Sequence, residues 1–90
     1  MSDSDAKRLH AAITALAGAG TRSRLHRVET VVLLEDGAIA WDGEVTVYAL
    51  EGHPRARLGY AWIAADGAVH ALLGEPGIDS ATSAVLHRRP

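Results

Sequence analysis

Five histidines, His10, His26, His53, His70 and His87, are the residues of this chain best suited to hold a metal or move a proton. None stands two or four residues from another, and no carboxylate completes a ligand spacing, so no zinc-type motif is formed. The chain has no cysteine, which removes disulfides, thiolate nucleophiles and Cys-based zinc sites together. A hydroxyl nucleophile would have to come from Ser80, Thr82 or Ser83, which stand where a helix begins and read as caps. Neither G-x-S-x-G nor G-x-x-x-x-G-K-[ST] occurs. His53, in Gly52-His53-Pro54, is the single imidazole placed to act at a loop tip as a base or anion contact. A tight turn explains the same tripeptide without chemistry, because Gly supplies a positive φ and Pro fixes its own. The reading is non-enzymatic, with no cofactor and no metal.

Charge offers a second kind of site. The formal net charge of -2 gives no whole-molecule attraction to nucleic acid or to an anionic membrane. Arginines are nevertheless grouped, with Arg22, Arg24 and Arg27 on one side of the hairpin region and Arg55 and Arg57 on the other. If strand pairing brings these together at one end of a sheet, the patch could bind an anion or a nucleic-acid phosphate. Ninety residues make one domain, 1–90, with a single core. The acidic start, M-S-D-S-D, and the lack of a long apolar run point to a cytoplasmic protein with no membrane partner.

The elements that must position these residues follow from periodicity. Asp3–Ala17 predicts a helix, capped by Ser2 or Ser4, acidic in its first turn and ended by Gly18 or Gly20. Leu9, Ile13 and Leu16 form its apolar stripe. Thr21–Arg24 reads as a basic linker, and a first strand is expected over Arg27–Glu35. Asp36-Gly37 is a type I′ hairpin signal that sets Leu34 opposite Ile39, Val32 opposite Trp41 and Val28 opposite Val45. The second strand runs to Leu50, with Gly43 as a bulge or close-packing point. That register also opposes Glu29 to Glu44, an unfavourable pair.

A central hairpin turns at Gly52-His53-Pro54 and pairs Ala49 with Leu58, Val47 with Tyr60 and Val45 with Trp62, with Tyr48 over Gly59. Asp66-Gly67 is expected to turn into Ala68–Leu73, pairing Ala64 with Val69, Trp62 with Ala71 and Tyr60 with Leu73. Gly74-Glu75-Pro76-Gly77 ends the sheet. A last helix starts at an N-cap on Asp79 or Ser80, carries His87, Arg88 and Arg89 in its last turn, and stops at Pro90. The fold class is α+β: α-β-β-β-β-α, an antiparallel four-stranded meander with both helices on one face.

These registers place Val28, Val32, Leu34, Ile39, Trp41, Val45, Val47, Leu58, Tyr60, Trp62, Val69 and Leu73 beneath the helices. The other, helix-free face would carry Val31, Leu33, Ala40, Thr46, Tyr48, Gly59, Ala61, Ile63, His70 and Leu72. Such an apolar sheet face marks an interface. The leading reading is therefore an interaction module that forms a homodimer or binds a protein partner through Val31, Leu33, Thr46, Tyr48, Ala61, Ile63, His70 and Leu72. The arginine patch is the alternative.

The element order resembles that of double-stranded RNA-binding domains, which also lay two helices on a meander. Their lysine cluster at the last helix is replaced here by Ser80-Ala81-Thr82-Ser83, so the function is not carried over. A closer resemblance rests on Trp41-x-Gly43-x-Val45-x-Val47-Tyr48-x-Leu50-x-Gly52-His53-Pro54-x-Ala56 followed by Tyr60-Ala61-Trp62. This string is similar to that of a group of short uncharacterised bacterial proteins with no assigned activity. The resemblance implies a fold and no mechanism. The chain departs from that group at Gly74-Glu75-Pro76-Gly77, where a more apolar, proline-rich approach to the last helix is expected.

Overall fold

The computed structural model describes residues 3–75 and 78–88. Expectations resting on Ser2, Pro76, Gly77, Arg89 and Pro90 lie outside the described residues. The order is α1 (Asp3–Ala17), β1 (Arg22–Glu35), β2 (Ala38–Glu51), β3 (Leu58–Ile63), β4 (Val69–Leu73) and α2 (Ala81–Arg88). The strands form one antiparallel meander in the order β1-β2-β3-β4. This is the expected α-β-β-β-β-α arrangement.

Both hairpins flanking the centre depart from the expected register by one residue, for separate reasons. Asp36 and Gly37 both take positive φ, 54° and 79°, so the two-residue turn forms and Leu34 opposes Ile39. The bulge then falls at Ala40 rather than Gly43, because Leu33 pairs with Trp41. From there Val31 and Leu33 share the Trp41 side, Val28 opposes Thr46, and Glu29 faces Val45 instead of Glu44. Gly43 is the close-packing point, since a Cβ there would sit 2.7 Å from Cζ2 of Trp41. At the other end Gly67 has a positive φ but Asp66 does not. The Gly67 N–H donates to the Ala64 carbonyl, the Ala64 N–H to the Ala68 carbonyl, and the Ala68 N–H to Asp66 Oδ1. This longer loop sets Ile63 against Val69, Trp62 against His70 and Tyr60 against Leu72. The central hairpin keeps its expected register, Val47–Tyr60, Tyr48–Gly59 and Ala49–Leu58.

β1 also begins earlier than expected. The basic segment is strand and not linker, with Arg22 paired to Glu51 and a second irregularity at His26. β2 runs on to Glu51, and its backbone groups there find partners only if β1 starts at Arg22.

The two shifts decide where the helices go. Side chains alternate faces along a strand, so a one-residue slip exchanges the whole set. Trp41, Val45, Val47, Tyr60 and Trp62 are joined by Val31, Leu33 and Leu72, and Ala81, Ala84 and Val85 of α2 close over them. Tyr48, Leu50 and Ala61 are joined by Val69, Ala71 and Leu73 on the opposite side, beneath Leu9 and Ile13 of α1. The helices therefore cover opposite faces, and the expectation of both on one face is corrected. With apolar side chains on both sides of β3 and β4, one covered face would have left the other wet. Leu9 and Ile13 are fully buried, each contributing roughly 1.5–3 kcal/mol of apolar burial, whereas Leu16 is exposed and Ala17 packs in its place. Ile13 reaches the sheet at Gly59, where a Cβ would lie 2.9 Å from its Cδ1.

α2 is held at its start by a reciprocal cap. The Ser83 N–H donates to Ser80 Oγ, and the Ser80 N–H donates to Ser83 Oγ. This uses two of the three hydroxyls that stood as candidate nucleophiles, Ser80 and Ser83.

Each tyrosine is buried on a different face, and burial raises both phenol pKa values above the usual 10.0. For Tyr60, Arg27 opposes that shift while Glu29 and Asp79 add to it. A raised folded-state pKa contributes stability that is complete below the unfolded tyrosine value, about pH 10. It is lost as pH rises through the folded values. Phenolate absorbance and circular dichroism followed together should show one joint alkaline transition. Full phenolate formation at ordinary tyrosine pH, with the fold intact, would contradict this burial.

Candidate functional site

β1 and β2 are 14 residues each, whereas β3 has 6 and β4 has 5. The β1–β2 ribbon therefore extends past the rest of the sheet. α1 lies over Ile63, Val69, Ala71 and Leu73, away from the far part of that ribbon. α2 covers the ribbon's other side through Val31 and Leu33. What remains uncovered is the α1 side of β1 and the start of β2.

The register identifies the side chains there. Leu25 opposes Tyr48, Val28 opposes Thr46, Val32 opposes Asp42 and Leu34 opposes Ile39, so all lie on the Tyr48 side. Leu25, Val28, Val32, Leu34 and Ile39 are 64, 46, 50, 66 and 61% exposed. Large apolar side chains aligned on one strand face form a patch and not scattered exposure. Near α1 the row ends at an apolar hollow of about 230 Å³ bordered by Leu25, Val28, His10 and Tyr48, where the ring of His10 stacks on that of Tyr48 at 5.4 Å. Thr46 lines the same hollow, and its buried hydroxyl has no hydrogen-bond partner.

β1 is also an edge strand, pairing among the described residues with β2 alone. Natural edges are usually short or interrupted by charge. The first half of β1 follows that rule, with Arg22, Arg24, Arg27, Glu29 and the irregularity at His26. Thr30-Val31-Val32-Leu33-Leu34 does not: it is a charge-free run with open backbone groups beside an exposed apolar row.

The eight residues expected on a helix-free interface are elsewhere. Thr46, Tyr48 and Ala61 are buried on the α1 side with Ile63 half-buried beside them. Val31 and Leu33 are buried on the α2 side, where the register also places His70 and Leu72. Neither face of the sheet is wholly free of a helix among the described residues. The residues that are exposed, Val28, Val32, Leu34 and Ile39, are those expected in the core, and the slip at Ala40 together with the ribbon's reach past α1 accounts for the exchange.

The arginine patch is divided. Arg22 and Arg24 border one hollow with His10 and Glu51, while Arg55 and Arg57 border another with Glu75 and Asp79. Arg27 pairs with Glu29 at 3.5 Å and Arg55 with Glu75 at 3.8 Å. Carboxylates thus interleave with the cations. His53 Nδ1 accepts from the N–H groups of Arg55 and Ala56, at 3.1 and 2.9 Å, so the imidazole shapes its own loop. Gly52 beside it is required for a close approach, since a Cβ would meet the Gly20 carbonyl oxygen at 2.9 Å. No group of three metal-binding side chains occurs among the described residues, and no described helix is long and apolar enough to cross a membrane.

No protein-family model matches the chain, and neither a curated protein nor a solved structure gives a significant match.

Proposed function

We propose that this protein is a small interaction module that self-associates through β1, with a second copy of the chain as its partner. The observation that carries the reading is the charge-free run Thr30–Leu34, where open backbone groups and exposed Val32 and Leu34 lie together. A second copy can satisfy both needs at once by adding its own β1 antiparallel about a twofold axis. Charge along the strand favours that orientation. β1 begins with Arg22, Arg24 and Arg27 and ends at Glu35, with Asp36 next in the turn, so antiparallel pairing brings unlike ends together. With the axis at Thr30, Val28 of each copy meets Val32 of the other, continuing the apolar row across the joint.

Solution mass tests this. Light scattering or sedimentation should give twice the chain mass, and Val32→Lys should give a folded monomer. Val32 is half-exposed, so the lysine should change monomer stability by no more than about 0.5 kcal/mol. A monomeric wild-type chain at high concentration, or a dimer indifferent to Val32→Lys and Leu34→Lys, would falsify the reading.

A further inference from the structure

On the α2 face, at the end of the sheet away from Gly52-His53-Pro54, an open hollow of about 350 Å³ is bordered by Trp41, Trp62, His70 and Arg88, with Leu33 and Val85 among its apolar walls. The chain has four aromatic residues of the Phe/Trp/Tyr type, two of them tryptophan, and both tryptophans line this one hollow. The imidazole of His70 stacks on Trp62 at 5.8 Å and 12° and covers it. His70 Nδ1 is buried with no hydrogen-bond partner, a group that a native interior normally satisfies. Arg88 is exposed at the rim, and no carboxylate pairs with it among the described residues. The one acidic residue of the lining, Asp66, already accepts the Ala68 N–H and serves the β3–β4 loop.

We infer that this hollow binds a planar aromatic molecule carrying a single negative charge. The flat face would lie against the half-buried indole of Trp41 and the imidazole of His70. The anion would take the guanidinium of Arg88, whose planar fork suits a carboxylate. The hollow has a ligand's usual composition, mostly apolar with a few polar groups at fixed places. It goes beyond self-association and is independent of it, because the β1 row faces the α1 side.

The test uses 2-naphthoate, neutral 2-naphthol and cationic 2-naphthylmethylamine as probes, read by calorimetry and by the indole N–H resonances of Trp41 and Trp62. Naphthoate should shift both resonances saturably and bind about tenfold more tightly than the neutral probe, as a charge-assisted contact predicts. Arg88→Glu, at an exposed position, should reverse the ranking so that the amine binds best. Val32→Lys should leave naphthoate binding unchanged even where it abolishes the dimer. The inference is overturned if naphthoate moves neither indole signal, if Arg88→Glu leaves the ranking as it was, or if Val32→Lys removes binding.

Discussion

Trp62→Ala should lower the unfolding free energy by about 3–5 kcal/mol, the range for truncating a buried large aromatic. Trp62 is 3% exposed on β3, an interior strand, and packs in the cluster closed by Ala81, Ala84 and Val85. The substitution opens a void between sheet and helix and removes the ring on which His70 stacks. α2 has eight residues, too few to persist without that face, so its amides should exchange faster in the variant. A chain of this length has a total stability of roughly 5–13 kcal/mol, which makes the loss a large share of it. Urea titration gives the magnitude. A change below about 1 kcal/mol would mean that the indole is not the centre of this core. Trp41, which is only half-buried, should be the less costly of the two to truncate.

The sequence was most legible where one local signal had one structural outcome. Gly52-His53-Pro54 ends β2, and alternation on either side fixes Val47 against Tyr60. The Asp-Gly dipeptide is not of that kind. Asp36-Gly37 makes a two-residue turn with both φ angles positive, whereas at Asp66-Gly67 only the glycine is positive and the loop is longer. The same two letters thus differ by one residue of register, and that residue decides which side of the sheet Val69, Ala71 and Leu73 occupy. Ala40 is harder still, because nothing in alanine announces a bulge, yet it moves Val31 and Leu33 into the α2 core and turns Val28 and Val32 outward. The two register shifts act alike. Each inverts one strand, β1 or β4, while leaving an apolar face on either side, so apolar alternation does not distinguish the two registers.

A signal for the exposed row was present in strand length. The expected first and second strands were longer than the third and fourth, so part of the ribbon had to reach past anything the last two strands could support. α1 and its four-residue connection, Gly18–Thr21, then limit what it can cover. Which residues share a face depends on parity, and parity is the quantity that the bulge and the longer loop change. The kind of feature, an apolar strand face, survived; the residues did not.

Ile13→Ala should cost about 2–5 kcal/mol, and where the loss shows itself tests the placement of α1. Ile13 is fully buried on the face away from both tryptophans, seated against the glycine at position 59 and packed with Leu9, Tyr48 and Ala61. Its truncation frees the gap over Gly59 without touching Trp62, Val85 or the rest of the α2 cluster. In the still-folded variant, tryptophan emission should match the wild type while α1 amides lose hydrogen-exchange protection and the Tyr48 phenol titrates closer to its ordinary value. Tyr60, on the other face, should keep its raised pKa. Had both helices shared the tryptophan face, the emission would shift with the mutation and Tyr48 would already be wet in the wild type. A red shift of tryptophan emission in folded Ile13→Ala, with α1 protection unchanged, would therefore place α1 over the wrong side of the sheet.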